Sequence, residues 1–224
     1  MKKFLFKILK RILKLFHFLP IVIFQMFKSN IFILNRNESY RNYMLKQKEK
    51  TLDPKRIKIW KNEEWDSKIY GFTKVFEETN FNFSGKNVLC VGSRVGQEVV
   101  ALKSLGASAV GIDLVSFPPF TLSCDLHNLC FKNECMDFIF TNVFDHIFNP
   151  IKFASEVTRV LKPNGIFLLR IQLGIFGDAY TKNAVLSHHP IKRLFYNLEL
   201  RNVEKLKNEF DGMSKQLTFG KPLS

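Results

Sequence analysis

The chain's 224 residues suffice for one domain with an extension and fall short of two full domains. Apolar residues at 46% and charged residues at 24% exclude a largely disordered polypeptide. The net charge of +14 is unevenly placed, with 18 Lys/Arg against 8 Asp/Glu in residues 1–82 and 16 against 12 in residues 83–224. That asymmetry favours a membrane surface over a nucleic acid as the anionic partner.

At the N-terminus, Lys3, Lys7, Lys10, Arg11 and Lys14 fall within about a 100° arc of a helical wheel, and Leu5, Phe6, Ile8, Leu9, Ile12, Leu13, Leu15 and Phe16 cover the rest. Pro20 interrupts this basic amphipathic pattern. Only 13 residues without formal charge separate Lys14 from Lys28, short of the roughly 17–25 that cross a bilayer. Residues 1–34 are therefore expected to associate with a membrane by lying in its interface, contacting it through residues 1–27, with lysines at anionic head groups and phenylalanines at the acyl boundary. Two other readings compete, a signal peptide and a helix packed on the protein itself. The first lacks a small-x-small cleavage site after Phe27. The expected location is cytoplasmic, peripheral on a membrane.

Residues 35–82 read as a linker followed by a helix. Asn35 to Lys61 is polar and weakly periodic and reads as a linker that is helical in part, whereas Asn62 to Thr79 places Trp65, Ile69, Phe72 and Phe76 at spacings of three and four. That stripe either packs on the sheet that follows or forms a lid over a ligand pocket. The four cysteines, Cys90, Cys124, Cys130 and Cys135, form no CxxC pair and fit reduced thiols. Cys124, His127, Cys130 and Cys135 lie close in sequence but match no common zinc spacing, so no metal is expected.

From residue 83 the chain reads as one α/β domain. Asn87 to Val91 is an apolar run suited to a central parallel strand, and Gly92-Ser93-Arg94-Val95-Gly96-Gln97-Glu98 leads into a helix at Val99 to Leu105. A second strand, Ala109 to Leu114, contains Asp113, 21 residues after Gly92. A Rossmann unit places a ribose-binding carboxylate at that distance. Gly92 permits the tight turn, Gly96 permits close helix packing, and Asp113 can accept two hydrogen bonds. Together these features indicate an adenosine ligand. A short third strand precedes Asp125, and a fourth, Met136 to Thr141, ends at Asn142. An amphipathic helix, Ile151 to Leu161, closes at Lys162-Pro163-Asn164-Gly165 and leads to a fifth strand, Ile166 to Leu173. Leu198 to Leu206 and Lys215 to Phe219, bracketing Asp211-Gly212, read as a terminal hairpin.

Through VLCVGSRVGQE, VGIDL, CDLHNLCF, MDFIFTNVFDHI and RVLKPNGIFLLRI, the stretch Asn87 to Gln172 resembles the class I S-adenosylmethionine-dependent methyltransferases, of the type 11-like kind. The resemblance implies a three-layer Rossmann-like sheet, mostly parallel with a C-terminal antiparallel hairpin, preceded by N-terminal helices. It implies S-adenosylmethionine as cofactor, with Gly92, Ser93, Arg94 and Gly96 beside the methionine moiety and Asp113 with Leu114 at the ribose. It also implies that Asp125 and Leu126 read the adenine edge and that Asn142 lines the pocket. Two positions depart from the family pattern: Cys90 stands where many members carry an acid, and Arg94 replaces the middle glycine of GxGxG. Glu98 is the candidate to compensate for the missing carboxylate. His146 is the best-placed base for an oxygen acceptor, with a turn-capping histidine as the plainer reading. His188 and His189 fall where substrate-binding insertions occur.

The expected activity is methylation of a small-molecule, lipid or glycan acceptor near a membrane. The alternatives are a catalytically inactive methyltransferase-like binding protein and a dinucleotide-binding oxidoreductase. Against the second of these stands the Leu161-Lys162-Pro163-Asn164-Gly165 turn followed by a terminal hairpin.

Overall fold

A computed structural model describes residues 31–33, 38–174, 178–207 and 210–223. Residues 1–34, on which the membrane-surface expectation rests, lie outside the described residues except for 31–33. No described helix is long and apolar enough to cross a membrane.

After a short strand, β1 (Ile31–Ile33), the chain enters helix α1 (Tyr40–Leu52). Ser39 begins it by accepting a hydrogen bond from the Asn42 amide. Asp53 caps the next helix, α2 (Pro54–Lys58), with proline in the first turn where a missing N–H is harmless. A π-helical turn (Ile59–Glu63) leads to α3 (Trp65–Glu78). The stretch Asn35 to Lys61, expected to be a partly helical linker, is helical over most of its length from Tyr40 onward.

The domain proper then alternates β2 (Asn87–Val91), α4 (Gln97–Ser104), β3 (Ser108–Asp113), β4 (Thr121–Ser123) and β5 (Met136–Thr141). A 3-10 turn (Phe144–His146) and α5 (Pro150–Val160) follow, then β6 (Leu161–Ile171), β7 (Asn183–Val185) and α6 (His189–Leu194). The hairpin β8 (Glu199–Lys205) and β9 (Lys215–Gly220) completes the fold. The seven-stranded sheet runs β4-β3-β2-β5-β6-β9-β8, and β1 pairs separately with β7. Its first five strands are parallel and the hairpin adds the antiparallel pairs, which is the Rossmann-like arrangement expected.

Strand pleating sends alternate residues to opposite faces, and β2 shows the result. Val88 and Cys90 face α3 and α4, among Phe72, Phe76, Val99 and Leu102, while Leu89 and Val91 face α5, among Phe153, Val157 and Phe167. The stripe on α3 therefore packs on the sheet: the Phe72 and Phe76 rings meet Phe140 at 5.7 and 5.1 Å. Both sheet faces being covered, the open position is the carboxyl end of the parallel strands, where α/β folds hold ligands.

Candidate active site

The glycine turn after β2 sits at that end. Gly92 has φ +79° and would drive a side chain into Val143, and Gly96 has φ +92° against Phe120, so both positions require glycine. Arg94 between them adopts the same left-handed region at φ +46°. That conformation disfavours a side chain by about 1–2 kcal/mol. It aims the Arg94 N–H at Asp113 Oδ2, 3.1 Å away, while Leu114 N–H donates to Oδ1 at 2.7 Å. Burial raises the Asp113 pKa, and these backbone donors work against it.

A cavity opens beside this turn, at the strand ends where α/β folds take small molecules. Gly92, Arg94, Ile112, Asp113, Leu114, Cys124, Leu126, Val143 and His146 line it from the sheet side. Tyr43, Gln47, Lys50, Thr51 and Trp60 cover it from the N-terminal segment. The lid thus comes from α1 and the π-helical turn, and the Trp65–Phe76 stripe contributes none of the lining.

Several contacts hold this lid. The Arg94 guanidinium lies 4.9 Å from the centre of the Trp60 ring, and Gln97 Nε2 donates to the Trp60 carbonyl at 2.8 Å. The Tyr40 hydroxyl donates to Asp125 Oδ2. Asp125 Oδ1 accepts from the His127 amide at 2.8 Å and from Nδ1 at 3.0 Å, while His127 Nε2 accepts from the Asn149 amide at 3.0 Å. Burial opposes charge on Asp125, but the bonds from Tyr40 and His127 outweigh it and hold the carboxyl below its usual range. Burial lowers the His127 pKa, which keeps that ring neutral.

The remaining sequence candidates divide. Leu126 lines the cavity, whereas Asp125 is turned to the Tyr40 contact. Ser93 is buried, its Oγ 3.3 Å from Thr121 Oγ1, and Asn142 is buried beside the turn without lining the cavity. Gly96 serves as the start of α4. Glu98, in the first turn of α4, is 1% exposed, and its Oε2 has no hydrogen-bond partner among the described residues. Burial pushes its carboxyl up to about 7, against the pull of Arg94. Cys90 is fully buried below it and its thiol is raised by that burial. His146 Nδ1 lies 3.2 Å from the Tyr180 carbonyl and Nε2 3.1 Å from Lys50 Nζ. A carbonyl only accepts and an ammonium only donates, so Nδ1 carries the ring proton and the Nε2 lone pair is committed to Lys50. His188 and His189 stand away from the cavity, with His188 near Lys215.

Tyr43, Lys50 and Trp60 were not singled out in the sequence. Aromatics in a largely polar stretch were the available signal for Tyr43 and Trp60, while Lys50 is one lysine among many. Among the described residues no group of three or more His, Cys, Asp or Glu is placed to hold a metal ion. The Cys124 sulfur instead accepts from the Cys130 amide.

Residues 89–169 match the family model described as a methyltransferase domain. No curated protein matches the chain. Among solved structures, the chain is similar to 1,6-didemethyltoxoflavin-N1-methyltransferase of Burkholderia thailandensis, solved with bound 1,6-didemethyltoxoflavin and S-adenosylhomocysteine. The identity is 12% and the TM-score 0.65, over 86% of this chain and 95% of that one. A SAM-dependent methyltransferase from Aquifex aeolicus aligns at 18% identity and TM-score 0.59, over 75% and 98%. The [4+2]-cyclase SpnF aligns at 16% identity and TM-score 0.57, over 68% and 80%. At these identities the likeness is one of fold.

Proposed function

We propose that this chain, whose sheet domain is a class I, Rossmann-like S-adenosylmethionine-dependent methyltransferase, methylates a small acceptor held beneath the α1 lid. The observation that carries the reading is the Asp113 carboxylate, set at the cavity wall with each oxygen oriented by a backbone amide and able to accept a further hydrogen bond. That is the arrangement a ribose diol fits. Leu114, Ile112, Leu126 and Val143 offer an apolar slot for a purine. The unpartnered Glu98 oxygen is a natural acceptor for an amino group near the glycine turn and stands in for the acid absent at Cys90. Gly92, Ser93, Arg94 and Gly96 shape the turn beside it, and Asp125 contributes by fixing the Leu126 loop.

When bound, S-adenosylmethionine supplies a methyl group activated by a sulfonium. The protein's task is then to align an acceptor and exclude water. Tyr43, Thr51 and Trp60 exclude water by closing the cavity, and the committed Nε2 of His146 positions Lys50. The acceptor is a small molecule, in keeping with a site covered by α1, and the basic apolar residues 1–27 favour one encountered near a membrane surface.

Calorimetry with S-adenosylmethionine and S-adenosylhomocysteine tests the reading directly. Micromolar binding of both is expected, and the Asp113→Ala variant should lose it while keeping its circular dichroism and melting profile. Unchanged affinity in that variant would remove Asp113 from the site. Because a ring-forming cyclase shares the fold, transfer of labelled methyl groups into extracted metabolites is the second measurement.

A further inference from the structure

One wall of the cavity is built by α1 and the turn after β5, backed by Asp178 and Tyr180, and its polar groups centre on Lys50. Lys50 Nζ lies 3.1 Å from His146 Nε2 and 3.2 Å from Asp178 Oδ2. An ammonium has three N–H donors; beside these two polar partners and the Tyr180 ring, whose centre lies 5.0 Å from Nζ, Lys50 also lines the cavity. Arg94 lines the same cavity, with its guanidinium against Trp60 and no ion pair among the described residues. Of the carboxylates nearby, Asp113 is held by backbone amides, Asp178 has a side chain 40% exposed, and Asp145 sits 3.5 Å from His146 Nε2. An anionic oxygen entering the cavity accepts from this half-buried ammonium and offsets the repulsion between Lys50 and Arg94, which a neutral acceptor does not.

We propose that Lys50, flanked by Arg94, is an anion subsite that takes a carboxylate or phenolate oxygen of the acceptor. The inference rests on the methyltransferase reading and adds the acceptor's chemical class to it. An acceptor entering as its anion brings no proton to remove, which fits an imidazole whose lone pair is already committed. Its ionised oxygen forms the new bond to the methyl carbon, the carbon–sulfur bond breaks, and sulfur keeps that electron pair as a neutral thioether.

The same ammonium could instead be drawn by the carboxylate of the cofactor's amino acid, and the test separates the two. S-adenosylhomocysteine, which carries that carboxylate, and 5′-methylthioadenosine, which lacks it, are titrated into the full chain and into its Lys50→Met and Lys50→Arg variants. The S-adenosylhomocysteine-loaded proteins are then titrated with benzoate, 4-nitrophenol and the neutral benzamide. The expected result is that loaded wild type binds benzoate and ionised 4-nitrophenol in preference to benzamide. Lys50→Met should lose about tenfold of that affinity, the loss of one charge-assisted hydrogen bond, and Lys50→Arg should recover part of it. Both nucleosides should bind all three proteins alike. A loss of S-adenosylhomocysteine but not of 5′-methylthioadenosine in Lys50→Met assigns the cation to the cofactor and overturns the proposal. So does equal binding of benzamide, or loaded wild type that takes neither anion. Wild type that binds neither nucleoside defeats the methyltransferase reading itself, a separate outcome.

Discussion

Glu98 carries a physical cost that the rest of the fold sustains. A carboxyl buried with one oxygen unpartnered favours its protonated form, and its pKa of about 7 stands above the ordinary 4.5. The folded state therefore holds this proton over a pH range in which the unfolded chain has released it. Its contribution to stability is fully present below the unfolded pKa and is lost as pH rises from about 4.5 to about 7. The loss amounts to about 3 kcal/mol. Glu98→Gln keeps the shape and removes the titration, so the melting temperature of the variant relative to wild type should climb across that interval and level off above it. A difference that stays flat with pH would mean that Glu98 is solvated or paired. Cys90 below it fits the same picture: the position faces the α3–α4 core, where a neutral thiol packs among Phe72, Phe76 and Phe140 and a charge would need a partner.

Among the elements, the lid and the glycine turn work as one latch. Arg94 accepts a left-handed backbone in exchange for stacking on Trp60, a contact of about 0.5–2 kcal/mol. Arg94→Gly should thus change overall stability little while loosening the lid. The measurement is tryptophan emission, which should shift to the red as water reaches Trp60; Trp65, the second of the two tryptophans, gives a control when replaced by phenylalanine. Unchanged emission would show that Gln97 and Tyr40 hold the lid without Arg94. Sequence periodicity located β2 and β5 at their observed residues, because both are apolar runs ended by turn residues, and it placed the hairpin around Asp211-Gly212. The glycine turn and Asp113 were legible through their spacing from β2, and Leu126 through the family resemblance. Helix α1 was not. Its exposed face is rich in lysine, it buries few side chains, and its role lies in long-range contacts such as Tyr40 to Asp125, which no local pattern encodes. The β1–β7 pairing escaped for the same reason.

At the scale of the molecule, charge and architecture divide the chain. Residues 1–82 hold most of the excess cations, and β1, directly after the basic apolar stretch, is fastened to β7 of the domain. Full-length protein should float with vesicles containing anionic lipid and less with neutral ones, and the association should weaken with salt. Equal flotation on both would remove the electrostatic part of the membrane proposal. The lid's anchorage also governs traffic through the cavity. Trp60, Tyr43 and Thr51 roof the space that the glycine turn floors, and the roof is fastened to that floor through Arg94 and Gln97. Entry and exit are therefore expected to be paced by a first-order opening of the roof. In rapid mixing with S-adenosylhomocysteine, the tryptophan signal should change at a rate that climbs with ligand concentration and then reaches a ceiling set by the protein alone. A rate that keeps rising in proportion to concentration would describe a permanently open door, and turnover would then be limited by encounter rather than by the molecule's own breathing.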